Sequence, residues 1–196
     1  MDLLRQTRPW RIRWLGPFVL WALLAQTTTL ALWPQSSGEY EVKAAFLYKF
    51  ASFVDWPEPA RNEAVGICIV GRDPFGSALE RVVQGKTIGG RAFVVRRLKD
   101  WKAGTPCHIL FVGGSDQQRL QAVLGRVRHE TILTVGDVAG FCESGGGINL
   151  IVVDSKVKLE INVDVTARSG LQVSSKLLSL ARIVHDARST AARVTN

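Results

Sequence analysis

The chain has 196 residues, 46% of them hydrophobic, and a formal net charge of +8. Four Arg and one Asp fall within the first 31 residues, which leaves +5 for the rest. Those cations are scattered, with no basic tract and no aromatic interleaving, which argues against a nucleic-acid-binding surface. Three dispersed histidines argue against a metal centre, and the lack of any C-x-x-C among three cysteines argues against a thioredoxin-like or clustered zinc site.

In chain order, Arg5, Arg8, Arg11 and Arg13 precede an apolar run from Trp14 to Ala25, followed by polar and small residues. A basic start, a short apolar stretch and small residues after it describe an export signal over residues 1–37. The run is shorter than the ~20 residues that span a bilayer, so an uncleaved anchor is the weaker reading. Gly38–Asp55 reads as a helix with an apolar stripe at Val42, Phe46, Phe50 and Phe53/Val54, ended by Trp56-Pro57. Val65–Gly71 is a continuous apolar run, the pattern of a strand buried on both faces. Asp73-Pro74 reads as the cap and first residue of a helix to Val83 that stops at Gly85. Arg91–Leu98 and His108–Gly113 read as strands. Ser115 opens a helix through Arg128, and Thr131–Val135 is a further strand. This alternation signals βαβ crossovers and a mainly parallel sheet. Gly147–Val153 and Val157–Val163 flank Asp154-Ser155-Lys156 as a hairpin. Ser174–Val184 reads as a last helix, through Leu177, Leu178, Ala181 and Val184. The expected organisation is a signal and exit segment over 1–37, one α/β domain over 38–185, and a disordered tail over 186–196. The expected fold is a three-layer α/β/α sandwich with a mainly parallel sheet and a C-terminal antiparallel hairpin.

An ordered set of segments is distinctive. It comprises Glu41-Val-Lys-Ala-Ala-Phe-Leu-Tyr-Lys-Phe50 with Val54-Asp-Trp-Pro57, Ile67-Cys-Ile-Val-Gly71, and Gly136-Asp-Val-Ala-Gly-Phe141 with Gly145-Gly-Gly-Ile148. Ile161-Asn162, Ala167-Arg-Ser-Gly-Leu171, Ser174-Ser-Lys-Leu-Leu178 and Leu180-Ala-Arg182 complete it. In this order and spacing the chain resembles the YfiR family of bacterial periplasmic proteins, from Gly38 to Val184. The resemblance implies an α/β fold and a non-catalytic role without cofactor. The founding member restrains a membrane-bound diguanylate cyclase by binding its periplasmic part, which lowers cyclic-di-GMP and biofilm formation, and an outer-membrane partner or redox stress relieves it. The implied partners are therefore the periplasmic domain of an inner-membrane signalling protein and an outer-membrane lipoprotein; a homodimer is a separate expectation.

Three cysteines in an exported protein leave one thiol over after one disulfide. The resemblance implies the pair Cys68–Cys107. Cys142 matches a family position that pairs with a second cysteine about seven residues on, where this chain has Asn149. The bland alternative is three small buried apolar residues.

Glu160, Asn162 and Asp164 alternate along the last expected strand and so share a face. With Arg168 and Lys176 they are the candidate pocket for a small anion, nucleotide or amino acid; the competing reading is a solvated strand face with a buried Asn bonded to a loop. The helix face bearing Tyr40, Lys43, Tyr48 and Lys49 is read as the wetter one. Lys43, Lys49 and Trp56 are the candidate partner-binding residues, against a packing role for Trp56. Gly145-Gly-Gly147 reads as a turn, since a strand follows it. Gly71-Arg-Asp-Pro-Phe-Gly76 lies where α/β folds bind ligands but lacks a dinucleotide fingerprint. No nucleophile–base constellation rises above an ordinary helix start. A regulatory binding protein is the first reading, a small-ligand sensor the second, and an enzyme the third and weakest.

Overall fold

A computed structural model of the protein describes residues 36–57, 64–114 and 116–185. The backbone divides into units 1–34 and 35–196, and every described residue belongs to the second. The signal expected over 1–37 lies outside the described residues except for Ser36 and Ser37, and the tail expected over 186–196 lies wholly outside them.

Helix α1 (Ser36–Phe53) leads into β1 (Val54–Asp55), then β2 (Val65–Gly71), α2 (Ala78–Val83), β3 (Thr87–Ile88) and β4 (Arg91–Leu98). β5 (Ile109–Gly113), α3 (Gln117–Val127), β6 (Leu133–Gly136), β7 (Ile148–Val153) and β8 (Lys156–Asn162) follow. The chain ends in α4 (Val163–Arg168), β9 (Gln172–Val173), α5 (Ser175–Leu178) and β10 (Ala181–Val184). Eight strands form one sheet in the order β10-β8-β7-β6-β5-β2-β4-β3. Its central pairs are parallel, β7–β8 and β3–β4 are antiparallel, and β1 pairs with β9 in a small second sheet. This is the expected mainly parallel α/β fold with its hairpin.

Strand alternation assigns the two faces. Ile67, Ile69, Ile109, Phe111, Leu133, Val135, Ile148, Leu150 and Ile161 meet Ala44, Leu47 and Phe50 of α1 and Leu79 and Val83 of α2. Cys68, Val70, Leu110 and Val112 face the other way, onto Leu120, Val123, Leu124 and Val127 of α3. Three layers result, with the central strands β2, β5 and β6 buried between the two helix layers.

Several local expectations are corrected. The buried side of α1 is Lys43, Ala44, Leu47 and Phe50, while Val42 is 47% exposed. Glu39, Glu41, Lys43 and Lys49 are spread around this helix among its apolar residues, so its sequence period does not fix which side faces the sheet. Asp73 is no helix cap. Its Oδ1 accepts from the Phe75 N–H at 2.8 Å and its Oδ2 from Arg97 Nε at 2.6 Å, which holds residues 73–77 as a turn before α2. Asp116 caps α3, accepting from the Gln118 and Arg119 N–H groups, and Ser115, the expected cap, lies outside the described residues. The last expected helix contracts to the single turn of α5, and residues 181–184 pair in parallel with β8. β-Branched Ile183 and Val184 suit a strand, and the unpaired edge of β8 offers a ladder that helix periodicity in the sequence cannot reveal. The hairpin turns on Asp154 and Ser155, both in the left-handed region at φ 51° and 58°, which matches the right-handed strand twist.

Candidate functional site

At the carboxyl edge of the sheet, β4 and β2 run one way in sequence order and β5, β6 and β7 the other, so the reversal falls between β2 and β5. That is where open α/β sheets place ligands. Here the two strand ends are sewn together. The Arg72 N–H donates to the Gly113 carbonyl at 3.1 Å, and a Cβ on Gly71 (φ +90°) would lie 2.1 Å from that same oxygen. Only glycine fits this approach. The Phe75 ring packs edge-on to Phe111 and to Tyr40. A cavity of about 560 Å³ remains outside this plug, lined by residues that include Tyr40, Arg72, Ser77 and Arg81.

Beneath the same edge, α1 sets Lys43 against Asp137, the residue after β6. Lys43 Nζ donates to Asp137 Oδ2 at 3.1 Å and lies 2.6 Å from Glu39 Oε1, while the Tyr40 hydroxyl donates to Asp137 Oδ2 at 3.1 Å. Lys43 is 2% exposed. Burial pushes its ammonium down, but the Glu39 hydrogen bond and the Asp137 charge outweigh it, and the net shift is upward. Burial, then the Asp137 charge, raises the Tyr40 hydroxyl.

The proposed pocket residues Glu160 and Asn162 lie on the opposite face, beyond α3, beneath the loop 137–147. Glu160 is 5% exposed and Asn162 is fully buried. Glu160 Oε2 accepts from Asn149 Nδ2 at 2.9 Å and Oε1 from Arg182 Nε at 2.9 Å, and Arg182 reaches Glu143 in the loop at 3.2 Å. Asn162 caps α4: its Oδ1 accepts from the N–H groups of Asp164 and Val165, and its Nδ2 donates to the Cys142 carbonyl at 2.9 Å. Cys142 is buried there, its thiol pushed up to about 12 first by burial and then by the charges of Glu160 and Glu143. The Asn149 amide also donates to the Val138 carbonyl, and its Oδ1 has no hydrogen-bond partner among the described residues. These groups fasten the loop to the sheet. Arg168 and Lys176 are exposed.

Cys68 and Cys107 form a disulfide, with Cα atoms 5.8 Å apart. Cys68 lies on β2 and Cys107 just before the neighbouring β5, so the bridge ties the β4–β5 connection to the sheet centre. Of the candidate partner-binding residues, Lys49 is exposed. Lys43 and Trp56 are buried, so the reading of the Lys43 side as wet is corrected: two carboxylates compensate a buried ammonium. Trp56 is 4% exposed and packs 5.9 Å from the His108 ring. Asp137 and Arg182, which organise the two polar clusters, are not among the expected site residues. The position of Asp137 directly after a parallel strand was the available signal. Among the described residues no group of three His, Cys, Asp or Glu could hold a metal ion, and no helix is long and apolar enough to cross a membrane.

Residues 40–182 match the model of a protein family described as YfiR/HmsC-like. Two solved structures are similar to the chain, each 10% identical with a TM-score of 0.49. One is an ABC domain in complex with L-Trp from Streptococcus pneumonia, and the other is a conserved domain protein from Vibrio cholerae. They cover 74% and 75% of this chain, and the chain spans 60% of the length of each.

Proposed function

The chain belongs to the YfiR/HmsC-like family, which is periplasmic and regulatory rather than catalytic, and from that premise we propose that it is a non-catalytic periplasmic regulator. Exported through residues 1–37, it binds the periplasmic domain of an inner-membrane signalling protein, a diguanylate cyclase, and restrains it. The family match over residues 40–182 carries this reading. The closed polar clusters support it: Glu160 and Asn162 hold a loop, and Lys43 and Asp137 hold α1. Output then comes through binding energy, and the restraint equals the difference in affinity for the partner's active and inactive states. An outer-membrane lipoprotein that releases the restraint and a second copy of the chain are the further partners of this proposal.

The test is periplasmic crosslinking of the full chain in its own host, followed by identification of the captured proteins. Capture of a membrane protein with a cytoplasmic cyclase domain is expected. Repeated capture of soluble periplasmic proteins alone contradicts it.

A second reading, a small-ligand sensor, is favoured by one observation. The cavity at the carboxyl edge is lined by Arg72, Arg81, Ser77 and Tyr40, groups suited to a carboxylate or phosphate. Arg81 is shared with Glu41 at 3.3 Å in an exposed pair, which a ligand can displace. Titration calorimetry with amino acids and nucleotides, repeated on Arg72→Ala, tests it; heat that Arg72→Ala leaves unchanged rules the cavity out.

A further inference from the structure

A concentration of charge lies on the α3 side of the sheet, at the β4–β5 connection. A groove of about 530 Å³ runs between the β4–β5 connection and α3, lined by Lys99, Asp100, Lys102, Arg119, Ala122, Val123 and Arg126. Four cations and one carboxylate face one another there. The pattern extends along the helix, since residues 117–129 include Arg119, Arg126 and Arg128 and no Asp or Glu. Arg119 and Arg126 are partly engaged. Arg119 Nη2 donates to the Lys99 carbonyl at 2.7 Å, and Arg126 pairs with Asp100 and holds its carboxyl below the usual range. These bonds fix the two walls relative to each other. Lys99 and Lys102 are exposed, and their ammonium groups enter none of the ion pairs found among the described residues. Trp101, 3% exposed, anchors the wall between them in the core beneath α3, and the Cys68–Cys107 disulfide ties down the end of the same connection.

We propose that this groove docks an acidic segment of a protein partner. The floor is small and apolar at Ala122 and Val123, and the walls are cationic. An extended or helical segment rich in Asp and Glu fits such a trough, laying its backbone over Ala122 and its carboxylates between the Lys pair and the Arg pair. A flat anionic membrane fits less well, because Arg119 and Arg126 are turned across the groove to the Lys99 carbonyl and to Asp100. The inference rests on the reading of the chain as a binding regulator and names where the partner is held.

The experiment uses the full chain, with fluorescein-labelled oligoglutamate as probe, oligolysine as control, and vesicles of phosphatidylcholine with and without phosphatidylglycerol. Lys99→Glu/Lys102→Glu is the test variant, because neither ammonium supports the fold. Lys156→Glu/Lys158→Glu, on the hairpin, makes the same charge change elsewhere. Salt-sensitive binding of oligoglutamate is expected, weakened roughly tenfold or more by Lys99→Glu/Lys102→Glu and little changed by the hairpin variant. Equal weakening by both variants, or no binding, overturns the groove. Loss of vesicle binding in Lys99→Glu/Lys102→Glu, without oligoglutamate binding in the parent, assigns the patch to the membrane and overturns the protein occupant. Periplasmic crosslinking separates this inference from the regulator reading. A membrane partner captured equally by parent and Lys99→Glu/Lys102→Glu sinks the groove and spares the regulator. Oligoglutamate binding with no membrane partner captured does the reverse.

Discussion

Removal of Asp137 tests whether α1 is held by charge. Lys43 and Asp137 side chains are 3% and 7% exposed, 3.1 Å apart, and Glu39, 33% exposed, is the other carboxylate on the ammonium. Removing one member of a buried pair costs about 3–5 kcal/mol, because the other charge stays buried. Glu39 remains after Asp137→Ala and, being partly solvated, moderates the loss, so the expected cost is about 3 kcal/mol. For a domain of this size that lowers the thermal midpoint by roughly 6–12 °C. Lys43→Met leaves the Asp137 carboxylate buried and should cost a similar amount. The double variant removes both charges, keeps an apolar stem in place of the lysine, and should cost no more than either single change. A coupling of about 3 kcal/mol or more in the cycle is therefore expected from urea titrations at neutral pH. Additive costs in the cycle, or an Asp137→Ala cost below about 1 kcal/mol, would refute this account of α1.

The same cluster sets an alkaline limit. The folded-state pKa values of Tyr40 and Lys43 are raised above 10.0 and 10.5, so the stability they contribute is complete below about pH 10 and declines as pH rises through the folded values. Denaturation midpoints should fall beyond pH 10, less steeply in Tyr40→Phe/Lys43→Met; identical slopes would contradict it. Reduction of Cys68–Cys107, which closes a loop of 39 residues, should remove about 4 kcal/mol in the chain-entropy model, read as a lower melting midpoint with reductant and no further effect of reductant on Cys68→Ala/Cys107→Ala. Cys142, fully buried and with its thiol at about 12, should resist a thiol reagent at pH 8 until the protein is unfolded in guanidinium; fast labelling of the native chain would refute that.

The central strands could be read from the sequence because their burial is nearly complete. Ile67, Ile69, Leu110 and Val112 need no partner's identity to be recognised as interior. What escaped depends on distant residues. Lys43 reads as solvated until Asp137, 94 positions away, is placed beside it. β10 reads as helix because Leu177, Leu178, Ala181 and Val184 keep a helical spacing, and only the edge of β8 makes it a strand. Glu160 and Asn162 do share a strand face, as alternation requires, but the loop 137–147 closes over that face and turns a prospective pocket into a fastening. The α4 start had a local signal, since Asn162 followed by Asp164 is a favourable cap and first turn. The cationic groove had only half of one. The acid-free α3 is visible in the chain, but its facing wall at Lys99 and Lys102 comes from a separate segment.

The measurement that tests the account most directly is cellular cyclic-di-GMP in the chain's own host with the gene deleted, restored, and restored as Lys99→Glu/Lys102→Glu. The regulator reading predicts a rise on deletion and a return to the parental level with the full chain, and the groove predicts that the variant fails to restore it while still accumulating as folded protein. An unchanged level on deletion, with no membrane cyclase captured by crosslinking, would contradict the account.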